Sequence, residues 1–422
     1  VISGTYGNII KLGSGTLTLS GANTYTGTTA INAGDLTVSG SLHDSTAVSI
    51  ASGADYNVNA SDTVASIEGA GNIVLASSQT LTAGDGNNKT LSGVISGAGN
   101  YIKAGSGIQT LSASNTYTGT TQVSAGTLTV SGSGRLSDST AVTVDSGATY
   151  NVAVSDTVAS IAGAGNITLG SNTLTSGGSD ASTTFSGVIS GTNGNIVKAG
   201  TGTLTLTGNN SYTGSTTISA GLLKILRDDP TSYLAATSGF TGPGNLTIES
   251  SAGSFTADIV TGTHVQLAGT ALGDLIIGKS GNTRQIDLSS NITTTNIQTY
   301  NGPVRLVGGD RTVSTTNSNV VFASTVNSDG TARALTVTNG TGDTTFSGAI
   351  GGSAPVSALT ITSDQLTAGA ITLNGALTAT LGGSSTISGV IANGASAANL
   401  VKAGSGTLTL SASNTYTGTT QV

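Results

Sequence analysis

Apolar and polar residues alternate in short runs along most of the chain. In GTLTLS, starting at Gly15, Leu17 and Leu19 fall on one side and Thr16 and Thr18 on the other. The same alternation recurs in DLTVSG with Leu36 and Val38, AVSI with Val48 and Ile50, TLTVSG with Leu128 and Val130, and AVTV with Val142 and Val144. A period of two predicts a strand with one face in a core. Each run ends at Gly, Asn, Ser or Asp, residues that tolerate the backbone of bends and turns. No apolar pattern with a period of 3.6 residues runs long enough to nucleate a helix, so the chain reads as all-β.

The runs are themselves repeated. NIIKLGSGTLTLSGANTYTGTT starts at Asn8, and close copies start at Asn100, Asn195 and Asn399, placing Lys11, Lys103, Lys198 and Lys402 in matching positions. A second stretch recurs from His43 and Ser137, and a refrain of the form SGVISG stands at Val1, Leu91, Phe185, Phe346 and Ile387. Self-similarity of this kind means stacked units that bury their apolar faces only against neighbours. With short strands and small residues at the corners, it predicts a right-handed parallel β-helix, a β-solenoid. At roughly 20 to 25 residues per coil and about 4.8 Å per coil, the predicted rod is roughly 80 to 100 Å long. The spacing organises residues 1–422 as one continuous β-helix: a regular region over 1–226, diverged coils over 227–345 with a loop at 227–242, and a return to the repeat over 346–422. Val1 aligns with Val94 and Val422 with Val123, both inside the pattern, so the expectation is a piece of a longer repetitive protein.

Composition sharpens this picture. The 63 glycines, 8% charged residues and 4% aromatics fit neither an average mixed α/β enzyme nor a charged disordered tail. Net charge is -7 and the 13 Lys and Arg are scattered, which argues against a nucleic-acid partner. Cysteine is absent, so there is no disulfide framework or thiolate metal site. No metal or cofactor is expected. His43 and His264 sit in no metal-ligand spacing, and neither the acidic calcium repeat nor a phosphate-loop signature occurs.

Candidate sites are therefore structural first. Asn23, Tyr25 and Gly27, with Asn115, Tyr117 and Gly119, Asn210, Tyr212 and Gly214, and Asn414, Tyr416 and Gly418, read as turn chemistry. Asn caps the turn, Tyr covers a core edge and Gly takes a left-handed backbone angle; ligand binding is the weaker alternative. The four repeat lysines read as solvated side chains at coil edges that discourage strand aggregation, against a cationic line for anionic glycans. Asp62 and Asp156 hold equivalent places and are expected to cap turns. Arg227, Asp228, Asp229 and Pro230 form the densest charge cluster, read as a solvated loop or an interaction loop.

The string GSGTLTLSGANTYTGTTAINAGDLTVSG, Gly13 to Gly40, resembles the autotransporter-associated β-strand repeat, also called the passenger-associated transport repeat, of Gram-negative autotransporter passengers and giant surface adhesins. Similar strings cover Gly105 to Gly132 and Gly200 to Ile225, with a shortened last copy, while 227–343 lacks the motif. The resemblance implies a β-helix exported to the cell surface. The expected function is a non-enzymatic structural shaft of an adhesin or extracellular filament, outside the cell or on the outer membrane, mediating attachment, aggregation or biofilm formation. Expected partners are further copies, end to end or side by side, and a glycan or host or matrix surface, with membrane contact only through an anchor outside this segment. The alternative is a polysaccharide-binding or polysaccharide-cleaving β-helix. A third reading is an ice-binding or surface-binding face of ranked threonines such as Thr16 and Thr18, which requires a flat, regular ladder.

Overall fold

The computed structural model describes residues 1–230, 239–267 and 272–422, and among these every regular element is a strand. All strand pairings are parallel, and each joins a strand to its counterpart one coil further along. The alternating pattern dictates this. In Ala54–Val58 the inward side chains Ala54, Tyr56 and Val58 are buried, and the intervening Asp55 and Asn57 face outward. A strand with one apolar face is stable here only when the next coil covers its edge and the coil's other strands close over its face.

Two compact units divide the chain, Val1–Ser215 and Thr216–Val422. In the first, an eleven-strand ladder runs from Ile9–Lys11 to Ser211–Tyr212, so eleven successive coils are traced by one face. Registers there advance by 17 residues at the shortest, Thr149 to Asn166, and by 22 at the longest, Thr127 to Thr149. Inward Leu, Ile and Val dominate the core, interrupted by Tyr25, Tyr56, Tyr101, Tyr117, Tyr150 and Tyr212, all buried. Each buried aliphatic stabilises its coil by about 1.5 to 3 kcal/mol before chain entropy is counted.

The second unit keeps the parallel solenoid with less regular coils. Its registers advance by as little as 18 residues, Leu359 to Leu377, and as much as 29, Leu246 to Leu275. Its core holds an aromatic stack: Tyr300, Phe322 and Phe346 are register partners on three successive coils, with ring centroids 5.0 and 4.8 Å apart. The expected loop over 227–242 is described only in part, since residues 231–238 lie outside the described residues.

Candidate functional site: the interlocks of the repeat

The repeat motif builds four contacts, three of which tie one coil to another and the fourth of which closes within a coil. The first belongs to the lysines, and it corrects the expectation of solvated side chains. Lys11, Lys103 and Lys198 are 7%, 1% and 2% exposed. Each points inward at a turn whose second residue, Gly13, Gly105 or Gly200, has positive φ. That backbone aims successive carbonyls at one point. Lys11 Nζ donates to Gly13 O at 2.7 Å and, one coil onward, to Ala33 O at 2.8 Å. Lys103 Nζ repeats this with Ala104 O, with Gly105 O at 2.9 Å and with Ala125 O at 3.1 Å. Lys198 Nζ donates to Ala199 O and Gly200 O at 2.5 and 2.8 Å, and Lys402 Nζ to Ala403 O and Gly404 O at 2.8 and 2.9 Å. Burial pulls the Lys103 and Lys198 ammonium groups below their ordinary pKa, with Asp85 and Asp180 partly offsetting it. An ammonium satisfies three inward carbonyls that an apolar side chain would leave unpaired.

Asparagine supplies the second contact and reaches both neighbouring coils. Asn23 Oδ1 accepts the Ile2 amide at 2.9 Å while Nδ2 donates to Gly21 O in its own turn and to Ser41 O one coil on, each at 2.9 Å. Asn115 repeats the set with Ile95, Ala113 and Arg135. Asn210 and Asn414 accept the Ile189 and Ile391 amides at 2.9 and 2.8 Å. These amides belong to the SGVISG refrain, which explains why refrain and motif recur together.

The asparagine that opens each copy makes the third contact, which the sequence reading did not single out. Asn8, Asn100, Asn195 and Asn399 Oδ1 accept the amides of Thr28, Thr120, Ser215 and Thr419 at 2.7 to 2.8 Å. Directly before those amides sit Gly27, Gly119, Gly214 and Gly418. None has positive φ, so the expected backbone reason for glycine is replaced by close approach. A Cβ on Gly119 would lie 2.2 Å from Gly99 O, and one on Gly27 would lie 2.3 Å from Gly7 O.

The fourth contact caps the tyrosines. Tyr25 OH meets Thr29 Oγ1 at 2.6 Å, Tyr117 OH meets Thr121 Oγ1, and Tyr416 OH meets Thr420 Oγ1 at 2.6 Å. Tyr25, Tyr117 and Tyr212 lie wholly within the core rather than at its edge.

Asp62 and Asp156 do more than cap a turn. Both are buried; Asp62 accepts the Tyr56 hydroxyl at 2.9 Å and the Leu42 and Thr63 amides, and Asp156 accepts Tyr150, Leu136 and Thr157 in the same way. Desolvation outweighs these bonds and pushes each carboxyl up from 3.8 to about 6. A tyrosine six residues ahead of the aspartate, kept in both copies, was the sequence signal for this pair.

The charged loop candidates are engaged locally. Asp228 carboxylate accepts Ser250 Oγ at 2.7 Å and the Ser251 amide at 2.9 Å on the next coil, and these bonds hold its pKa below the ordinary carboxylate range. The Arg227 amide donates to Glu249 O, and Asp229 lies near enough to His264 to act on its charge. His264 Nδ1 accepts the Val260 amide at 3.0 Å and His43 Nδ1 the Ser45 amide at 3.2 Å, so each ring serves its own turn. Among the described residues no group of three or more His, Asp or Glu could hold a metal ion.

The passenger-associated-transport-repeat family matches residues 9–38, 102–130, 196–225 and 400–422, which hold the lysine, the turn asparagine, the tyrosine and the glycine of each copy, with the opening asparagine just ahead of each match. Four segments of this chain are passenger-associated transport repeats. The chain is also similar to an adhesin BmaC autotransporter from Brucella suis biovar 1 (strain 1330), with 33% identity over 273 residues. That alignment covers 60% of this chain and 8% of the relative, so the chain spans a small part of the curated protein it matches. No solved structure matches. In the passenger-associated transport repeats the lysine, the turn asparagine, the glycine and the tyrosine, like the asparagine just ahead of each repeat, all act on the protein's own backbone and side chains. The chemistry of the motif is coil-to-coil fastening.

Proposed function

We propose that this chain is a section of the structural shaft of a bacterial surface adhesin, holding binding regions away from the cell rather than catalysing a reaction. The observation that carries this reading is the recurrence of one set of interlocks in the repeats, which spends the motif's polar groups on stacking. The family match and the adhesin relative support a secreted or cell-surface location. The finer assignment, an outer-membrane surface in a Gram-negative bacterium with attachment supplied beyond these 422 residues, rests on the same resemblance. Among the described residues no helix is long and apolar enough to cross a membrane, which leaves strand-built membrane domains open. Partners that fit a shaft are further copies of itself and a glycan or matrix surface.

Display of the chain on Gram-negative cells through a heterologous translocator tests this. A shaft is expected to reach the surface intact, resist protease, and raise the adhesion conferred by a binding domain fused to its end relative to a direct fusion. Turnover of polysaccharide by the isolated chain, absent from a denatured sample, would overturn the reading in favour of a carbohydrate-active β-helix.

A further inference from the structure

The outward faces of the solenoid do not all treat their polar side chains alike. In the first unit, outward groups on adjacent coils bond each other. Thr16 donates to Asp35 at 3.1 Å, Asn72 to Asp55 at 3.1 Å, Asn151 to Thr129 at 3.3 Å and Thr168 to Asn151 at 2.8 Å. The pair Thr16 and Thr18 therefore starts no threonine ladder, because the register partner of Thr16 is Asp35.

One face of the second unit departs from this. The strands Arg311–Ser314, Leu335–Thr338, Leu359–Ser363 and Ala376–Leu381 pair in parallel without a bulge. Their register aligns Thr312, Thr336, Thr360 and Thr378 in one rank, and Ser314, Thr338, Thr362 and Thr380 in a second. All eight side chains are outward and at least partly exposed, above a packed inner layer of Val313, Leu335, Val337, Leu359, Ile361 and Leu377. The six threonine hydroxyls on the last three strands make no hydrogen bond to the described residues, so each keeps a donor and an acceptor for something outside the chain. No ionisable group stands in either rank.

Strand spacing sets a repeat of about 4.7 to 4.9 Å along each rank, and two residues of strand rise set about 6.4 to 6.8 Å between ranks. β-branched threonine is stiff at χ1, so the hydroxyls and methyls hold this lattice at low entropic cost. A ligand that fills it must itself repeat in two dimensions and be neutral, and must offer donors and acceptors at both spacings. The repeat along the ranks lies close to the a-axis oxygen repeat of hexagonal ice, and the spacing between ranks falls about a tenth short of the c-axis repeat of its prism face. A discrete glycan is a poorer fit, because the ranks contain no aromatic platform and no charged or amide side chain to orient a sugar.

From this lattice we propose that the two-rank threonine face of the second unit binds ice, ordering water against its hydroxyls and methyls. The activity is independent of the shaft assignment.

The test uses the whole purified chain in ice-recrystallisation and thermal-hysteresis assays, with Thr360→Tyr at the centre of the array. Thr345→Tyr, on the outward side of Thr344–Phe346, is the control. Circular dichroism before each assay establishes that both variants keep the β-fold. The expected result is arrested recrystallisation by the unaltered chain and by Thr345→Tyr, with loss in Thr360→Tyr. The proposal is overturned if the unaltered chain leaves ice growth unchanged, or if both variants lose the effect equally. It also falls if Thr360→Tyr abolishes binding on a glycan array or self-association in solution while ice growth is untouched in every sample.

Discussion

The two units solve the same stacking problem with different materials. Coils of the first advance by 17 to 22 residues and close on buried lysine, asparagine and a tyrosine–aspartate pair. Coils of the second advance by 18 to 29 and rely more on stacked aromatics and surface charge. Of the described ion pairs, one, Lys89 with Glu68, lies in the first unit, and the others, including Arg305 with Asp287 at 2.6 Å, lie in the second. Five of the six arginines fall between Arg227 and Arg333. One of them does a lysine's work: Arg311 donates to Leu288 O at 2.8 Å on the preceding coil, to Asp310 O at 2.8 Å and to Val307 O. Any cation that can reach three carbonyls can close a coil. The repeat therefore specifies how reproducibly a coil is closed, more than whether it can be.

The contrast breaks most sharply at glycine. Gly119→Ala sets a Cβ against fixed backbone at 2.2 Å, whereas at Gly352 the nearest atom is a side-chain carbon 3.5 Å away and φ is unrestrictive. The expected cost is about 4 kcal/mol or more at Gly119 and within about 0.5 kcal/mol at Gly352, read by hydrogen-exchange mass spectrometry of the flanking strands. Equal protection in the two variants would refute the close-approach argument.

Lysine follows. Lys103→Met leaves inward carbonyls unpaired and is expected to cost about 3 kcal/mol locally, with exchange rising at Gly105 and Ala125. Arg311→Met is expected to cost about 1 kcal/mol, since the guanidinium is only half-buried and water can replace it.

Acidification should separate the units further. The folded state holds a proton on Asp62 and Asp156 up to about pH 6, whereas the unfolded chain releases it near 3.8. The folded state therefore binds more protons in that window, and this contribution is fully present below about pH 4 and lost as pH rises to about 6. The contribution is of order 3 kcal/mol per carboxyl. Denaturant titrations at pH 4.5 and 7 should show the first unit gaining on the second at the lower pH. Asp62→Asn with Asp156→Asn should flatten that gain.

The second unit's aromatic stack offers a further comparison. Phe322→Leu loses ring contact on both sides and should cost about 1.5 kcal/mol, detectable as faster exchange in Gln298–Tyr300 and Thr344–Phe346.

The strands were legible because Leu17 and Leu19 obey a period that only a strand satisfies. The lysines were not. In Asn100–Lys103 the inward residues are Tyr101 and Lys103, and Ile102 faces outward, so hydropathy assigns the wrong side. Only the Ala-Gly that follows Lys103, Lys198 and Lys402 hints at carbonyls turned toward an ammonium. Asn23 was seen as a turn residue, but its partners Ile2 and Ser41 lie 21 and 18 residues away, and such pairings appear only once the length of each coil is known. The two ranks were not placed by the sequence, because Thr-x-Thr is common in it and register alone decides where three such runs and one Thr-x-Ser align.

The uniformly parallel pairing also has a mechanical meaning. Tension along the stack would load the ladders of successive coils in series, and the weakest would peel first without disturbing those beyond it. A coil of about 20 residues would then pay out about 70 Å of chain, and the 29-residue advance between Leu246 and Leu275 about 100 Å. In such a ratchet of sacrificial loops the irregular coils yield early and far, and the lysine-fastened ones hold.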